Sequence, residues 1–262
     1  MSSIYDYPFY YDIAFQRDLD LELTFLHACI HEWSDVPIPR FLEMGCGPAY
    51  HARALAKQKY EVIALDISAS MVEYAAEKAL EDEVDIDFVC NDMLNFKLNN
   101  PVDVALSMMA TLNHIFTIDH MVQHLRNVAE NLTPDGLYII ELPHPRDLLM
   151  GIANRATNPK WRTSRDGVTI DMVWGNELDP VNSVLETRTF NVEMTVNNNG
   201  LETRYQFEEL QAIWTPKEME AAIKLSGCFE LCAIYGEFDI NQVFNHSKWS
   251  WRMISILKVL RV

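Results

Sequence analysis

Hydrophobic and polar positions change rhythm twice along the 262-residue chain. From 39 to 142, short β-branched runs alternate with helix-period segments, the pattern of a parallel sheet flanked by helices. Strands are predicted at 39–44 (PRFLEM), 60–66 (YEVIALD), 86–90, 102–108 and 137–142. Helices are predicted at 51–58, 68–80 and 118–132, with Ser68 as a cap and Thr133-Pro134-Asp135-Gly136 as a stop. From about 151 to 214 the pattern turns extended and alternating, as in Val168-Thr169-Ile170-Asp171-Met172-Val173-Trp174. Asn197-Asn198-Asn199-Gly200 reads there as a hairpin turn. Thr215-Pro216-x-Glu218 then opens a helix as a capping box with proline at its first position. Strands at 229–236 and 251–259 close the pattern, and the first 35 residues read as aromatic coil followed by a helix from about 18 to 33.

This layout predicts an α/β fold, a Rossmann-like doubly wound seven-stranded sheet whose last strand is antiparallel, carrying an inserted antiparallel β subdomain. Residues 1–35 form an N-terminal aromatic lid and helix, 36–150 with 215–262 the ligand-binding core, and 151–214 the insertion. The composition, 49% apolar and 23% charged, suits a globular chain. With 38 acidic against 21 basic side chains, the formal charge of −17 argues against nucleic acid, whose affinity comes from neutralised phosphates. The excess is uneven: 1–150 holds 24 acids and 9 bases, whereas 151–262 holds 14 and 12. The nearly neutral part contains the one dense basic run, Lys160-Trp161-Arg162-x-x-Arg165, read either as a site for a carboxylate or phosphate or as a solvated strand face. No apolar run reaches the ~20 residues of a membrane span, and the first residues lack a signal peptide's pattern. Five cysteines (29, 46, 90, 228, 232) without a CxxC pair read as reduced thiols, so a cytoplasmic location is expected. His27/His31 and His120/His124 have helical i,i+4 spacing but no H-E-x-x-H pattern, and no metal is expected.

Glu43-Met44-Gly45-Cys46-Gly47-Pro48-Ala49 lies between a strand and a helix, where backbone N–H groups and a helix N-terminus can face a ligand. A dinucleotide fingerprint would want a small residue at 50, where Tyr50 stands instead. Asp66 follows Gly45 by 21 residues at a strand end, and its carboxylate can accept both hydroxyls of a ribose.

At these residues the chain resembles the class I S-adenosylmethionine-dependent methyltransferases. The stretches that carry the likeness are FLEMGCGPA at 41–49, VIALDIS at 62–68, CNDM at 90–93 and LTPDG at 132–136. The resemblance implies S-adenosyl-L-methionine as cofactor. Gly45 and Gly47 would approach its methionine part, Asp66 would hold the ribose, Ile67 would flank the adenine, and Asp92 and Met93 would meet its edge. Glu43, Cys46, Met71 and Asn91 belong to the same expected set, and Ala49 departs from the family's third glycine by one methyl. More widely, Tyr11-Asp12 with the following helix, SMMATLNHI at 107–115 and the β-rich insertion resemble small-molecule N-methyltransferases, the sugar N,N-dimethyltransferases and glycine N-methyltransferase among them. That likeness implies that Met108 lines the cofactor, that His114 faces the acceptor, and that Arg17 holds the cofactor carboxylate.

Methyl transfer from a sulfonium needs an aligned acceptor lone pair, so positioning supplies most of the acceleration. An amine needs only to be neutral at attack, whereas a hydroxyl needs a base. The expected function is methylation of a small-molecule acceptor at nitrogen, with His114 assisting. O-methylation with His114 as general base, methylation of a protein or RNA, and a catalytically silent cofactor-binding module acting through a partner stay open. An aminopropyl transferase is disfavoured, because Ser107-Met108-Met109 stand where paired acids would be needed. Glu141 and His144 share the carboxyl edge of the sheet and are candidates for contact with an ammonium. Tyr11, of the cluster Tyr5, Tyr7, Phe9, Tyr10 and Tyr11, is the expected cation contact. A homodimer is left open.

Overall fold

The computed structural model describes residues 3–34, 36–37, 39–149, 160–176 and 178–260. A 3₁₀ turn, Ile4–Asp6, precedes helices α1 (Pro8–Phe15) and α2 (Asp20–Trp33). There follow β1 (Phe41–Met44), α3 (Tyr50–Lys57), β2 (Val62–Asp66), α4 (Ala69–Glu81), β3 (Asp87–Cys90), β4 (Val102–Ser107), α5 (Ile118–Glu130), β5 (Leu132–Pro143) and α6 (Pro145–Leu149). The insertion contributes β6 (Lys160–Arg165), β7 (Val168–Trp174), β8 (Val181–Asn182), β9 (Thr187–Asn198) and β10 (Leu201–Ala212). The last elements are α7 (Pro216–Ser226), β11 (Phe229–Tyr235) and β12 (Arg252–Val259).

Seven strands form one sheet in the order β11-β12-β5-β4-β1-β2-β3. Strands β1 to β5 run parallel, and β12 is antiparallel to both β5 and β11. Every residue of β1 and β2 is buried, as a strand covered on both faces requires. Alternation sends Leu42 and Met44 toward α5 and α7, and Phe41 toward α2 and α3. The second sheet, β10-β9-β7-β6 with β8 on β9, is antiparallel. Its inner face, with Ile170, Met172, Val192, Met194 and Phe207, packs on Ile4, Ile13 and Ala14. The N-terminal segment is therefore clasped between the inserted sheet and the main one. Asn199 and Gly200, both with positive φ, close the hairpin between β9 and β10, the conformation that Asn-Gly takes without penalty.

Two local expectations are corrected. The aromatic stretch is not coil: Pro8 occupies the first position of α1, and the aromatics at 7, 10 and 11 fall on helical spacing. Helix α5 stops at Glu130, and Thr133-Pro134-Asp135-Gly136 lies inside β5 as an irregularity, pairing stepping from Val102–Leu132 to Val104–Leu137. Thr133 Oγ1 donates to Asp103 Oδ1 at 2.9 Å, and Asp135 takes a φ of 66°, so the extra residues fold out without ending the strand. Beyond the strand, the short α6 begins at Pro145, a proline at the first helical position.

Candidate active site

The sharp turn after β1 builds the site. Gly45 (φ 62°) and Gly47 (φ 50°) adopt the left-handed conformation that glycine takes at no steric cost. A Cβ on Gly45 would lie 2.4 Å from Thr111 Cγ2, so this position also needs glycine for space. A Cβ on Gly47 would meet nothing nearer than the Tyr11 ring at 3.9 Å, which leaves its backbone open to a ligand. Ala49 is left-handed too (φ 56°) and fully buried, so its departure from glycine involves backbone strain as well as the extra methyl. Asp66, at the end of β2, ties this turn to the next: Oδ2 accepts from Gly47 N–H at 2.8 Å and Oδ1 from Ser68 N–H at 2.9 Å. Burial raises its pKa against those two bonds, and each oxygen keeps a lone pair for a further donor. The Ser68 side chain caps α4 through Met71 N–H.

Beside this turn, at the carboxyl ends of β1, β2 and β4, lies a cavity of ≈ 370 Å³. Twelve of the fourteen residues expected from the sequence line it. Glu43, Gly45, Cys46 and Gly47 come from β1 and its turn, Asp66, Ile67 and Met71 from β2 and α4, Asp92 and Met93 from the loop after β3, Met108 and His114 from beyond β4, and Tyr11 from α1. Ile67 is 71% exposed, an apolar side chain left bare at the rim. Among the described lining residues the formal charges are Glu43, Asp66 and Asp92, with no Lys or Arg.

The two exceptions stand one layer back. The Arg17 guanidinium pairs with Glu22 at 2.9 and 3.2 Å, meets Met109 Sδ at 2.8 Å and lies over the Tyr50 ring, and Met109 and Tyr50 are themselves lining residues. The Asn91 side chain accepts from Asp92 N–H at 2.8 Å and so shapes the loop rather than the cavity.

His114 ends a short 3₁₀ turn, Thr111–His114, and faces the cavity. Tyr5 Oη lies 3.1 Å from its Nε2, and the two rings meet edge to face. Burial holds the imidazole below its usual pKa, with Glu209 and Asp66 pulling the other way, so it is neutral near pH 7. The N-terminal aromatics divide. Tyr5 and Tyr11 line the cavity, while Tyr7 and Tyr10 pack against Tyr205 on the inserted sheet. One segment thus both borders the cavity and packs on the inserted sheet.

Other candidates lie outside the cavity lining. Glu141 is buried against Arg252 and accepts Met109 N–H, and His144 bonds Asn245 O at 3.1 Å and stacks on Phe244, so neither enters the cavity. In the basic run, Arg162 pairs across strands with exposed Asp171, and Arg165 bonds the buried Asp12 carboxylate, which also takes the Tyr74 hydroxyl. Asp12 sits beside Tyr11, and this lock fixes α1 over the glycine turn.

Sequence reasoning passed over Thr111, Met109 and Glu209, and the buried Glu22 and His51 that pair with the expected Glu43. Met109 (φ 54°) and Ala110 (φ 61°) are consecutive left-handed residues, a strain of about 1–2 kcal/mol each. The Glu141 bond to Met109 N–H and the Thr111 Oγ1 bond to Met108 O at 2.8 Å hold that turn. Glu209, on β10, is buried and accepts from Ser3 Oγ at 2.9 Å, close enough to Tyr5, Tyr11 and His114 to shift all three.

Residues 41–136 match the family described as "Methyltransferase domain". A ubiquinone biosynthesis O-methyltransferase from Rickettsia canadensis is 28% identical over 108 residues, 41% of this chain and 44% of that protein. A dTDP-4-amino-2,3,4,6-tetradeoxy-D-glucose N,N-dimethyltransferase from Saccharopolyspora spinosa is 29% identical over 100 residues, 38% of this chain and 39% of that one. The chain thus matches less than half the length of either relative. An S-adenosylmethionine-dependent methyltransferase from Clostridium acetobutylicum superposes with a TM-score of 0.77, at 17% identity, over 95% of both chains, and it shares the fold. Residues 41–136 thus resemble a methyltransferase domain, and the likeness is to the class I S-adenosylmethionine-dependent kind and its small-molecule members. S-adenosylmethionine is the cofactor of that class. The open backbone at Gly47, the Asp66 carboxylate and the acidic lining suit a cationic nucleoside ligand. No helix among the described residues is long and apolar enough to cross a membrane.

Proposed function

We propose that this protein methylates a small-molecule amine, using S-adenosylmethionine. The observation that carries the reading is a single cavity in which a ribose-type acceptor, Asp66, and a histidine–tyrosine pair, His114 and Tyr5, face the same space. Bound there, S-adenosylmethionine supplies a sulfonium methyl group open to displacement by an acceptor lone pair. Asp66 holds the ribose hydroxyls, Ile67, Asp92 and Met93 border the base, and Glu43, Gly45 and Gly47 receive the amino-acid end with Arg17 behind them. Met71 and Met108 fill the apolar remainder. Tyr11 and Tyr5 present ring faces to a cation and shut out water.

An amine is favoured over a hydroxyl because the acceptor side is aromatic, with the buried Glu209 carboxylate behind Tyr5 and His114. Such a wall attracts an ammonium. His114, neutral and bonded to Tyr5, then takes the ammonium proton and frees the lone pair. The resemblance of residues in the matched domain to an amino-sugar N,N-dimethyltransferase points the same way, whereas the ubiquinone O-methyltransferase keeps the hydroxyl reading as the alternative. On this reading the insertion bears the acceptor side, its described strands spanning 160–212 with Glu209 behind Tyr5 and His114. The N-terminal segment serves as the lid, and 36–150 with 215–262 form the core; residues 151–159 lie outside the described residues. Labelled-methyl transfer across aminosugars, amino acids, simple amines and phenols tests this. Product from an amine alone is expected, and product from phenols alone would overturn the nitrogen reading.

A further inference from the structure

His51, in the first turn of α3, is fully buried between two carboxylates. Its Nε2 lies 2.6 Å from Glu22 Oε2 and its Nδ1 3.1 Å from Glu43 Oε1. Ionised carboxylates only accept, so both ring nitrogens must carry hydrogen and the ring is an imidazolium. The other Glu43 oxygen accepts from Ala52 N–H at 2.8 Å, and Glu22 also takes Arg17 Nε and Nη2. The result is an alternating row, Glu43⁻–His51⁺–Glu22⁻–Arg17⁺, tying β1, α3 and α2 together. It is neutral as a whole, which is how three buried charges can stand beside the half-buried Arg17. Both ends of the row reach the cavity: Glu43 lines it, and Arg17 touches it through Met109 and Tyr50.

A zwitterionic amino acid needs a carboxylate for its ammonium and a cation for its carboxylate, and Glu43 and Arg17 are the pair of opposite sign at this wall. Resting on the cofactor assignment above, we propose that His51 is a positioning residue for the amino-acid end of the cofactor, its imidazolium fixing Glu43 directly and Arg17 through Glu22. Burial alone would lower the His51 pKa, but Glu22 from α2 and Glu43 from β1 outweigh it and hold the ring protonated up to about 9, with Arg17 on the far side of Glu22. The same pairing holds Glu22 down to about 2.

The test compares S-adenosylhomocysteine with adenosine, which lacks the amino-acid end. By calorimetry at pH 7.5, His51→Gln is expected to weaken S-adenosylhomocysteine at least tenfold and adenosine less than twofold. Equal weakening of both ligands, or none of either, would overturn the proposal. In the wild-type protein, which needs no folded variant, the His51 imidazole is followed by NMR. Reciprocal coupling requires S-adenosylhomocysteine to raise its pKa and adenosine to leave it unchanged. Identical titration with either ligand would overturn the proposal as well. Failure of the wild type to bind S-adenosylhomocysteine at all would instead remove the cofactor assignment itself.

Discussion

Replacing Gly45 by alanine tests the fit between the glycine turn and the turn after β4. Two costs are separable. Alanine at φ 62° carries a left-handed penalty of about 1–2 kcal/mol. Its Cβ would also lie 2.4 Å from Thr111 Cγ2 and 2.8 Å from Thr111 Oγ1, and forcing a methyl into a packed contact costs about 1–3 kcal/mol. Thr111 cannot swing away freely, because its Oγ1 donates to Met108 O at 2.8 Å. Gly45→Ala should therefore lose about 2–5 kcal/mol in urea denaturation, combining the same two sources. Thr111→Ala removes both of the nearest atoms. In that background Gly45→Ala should cost only the backbone part, giving a coupling of about 1–3 kcal/mol in the double-mutant cycle. Additivity within about 0.5 kcal/mol would refute the account of why glycine stands at this position.

Three further outcomes are expected. Arg165→Met should destabilise the protein by about 2–4 kcal/mol in thermal or urea unfolding, since it strips the guanidinium from the buried Asp12 carboxylate, and Asp12→Asn in that background should restore part of the loss. His51 has a folded pKa of about 9 above an unfolded value near 6.5, so its stabilisation is full below pH 6.5 and lost as pH rises through 9. Urea midpoints should fall over that window by the equivalent of about 3 kcal/mol at most, and His51→Gln should flatten the curve; an unchanged slope would contradict the imidazolium. With an amine acceptor, His114→Asn should lower kcat/KM most near neutral pH, where His114 is neutral and the acceptor arrives protonated, and near-normal turnover there would leave positioning alone as the mechanism.

What the sequence made legible is what short-range rules govern. The turn 45–49, the Ser68 cap and the Thr215–Glu218 capping box each depend on residues within a few positions of one another, and each, like Asp66 at its strand end, stands where its pattern puts it. The period-2 stretches of the insertion likewise form β7, β9 and β10, because alternation alone sets one face on a core. Helix α1 was missed because aromatic bulk suggested a coil, while Pro8 and the 7-10-11 spacing carried the better signal. The left-handed pair Met109–Ala110 has no glycine to betray it, since Glu141, from another strand, holds the turn. Glu22, 29 positions from His51, and Glu209, brought to Ser3 from 206 positions away, are joined to the site only by tertiary packing. Arg17 was placed near the cofactor by resemblance, and in the structure it sits one layer behind the cavity wall, paired with Glu22.

The central claim is that Asp66 anchors a nucleoside cofactor beside the glycine turn. Calorimetric titration of S-adenosylhomocysteine into wild type and Asp66→Ala measures it directly. Loss of charge-assisted bonds to two ribose hydroxyls, each about 1.5–3 kcal/mol, should weaken binding by at least about tenfold. Equal affinity in the two proteins would contradict the assignment.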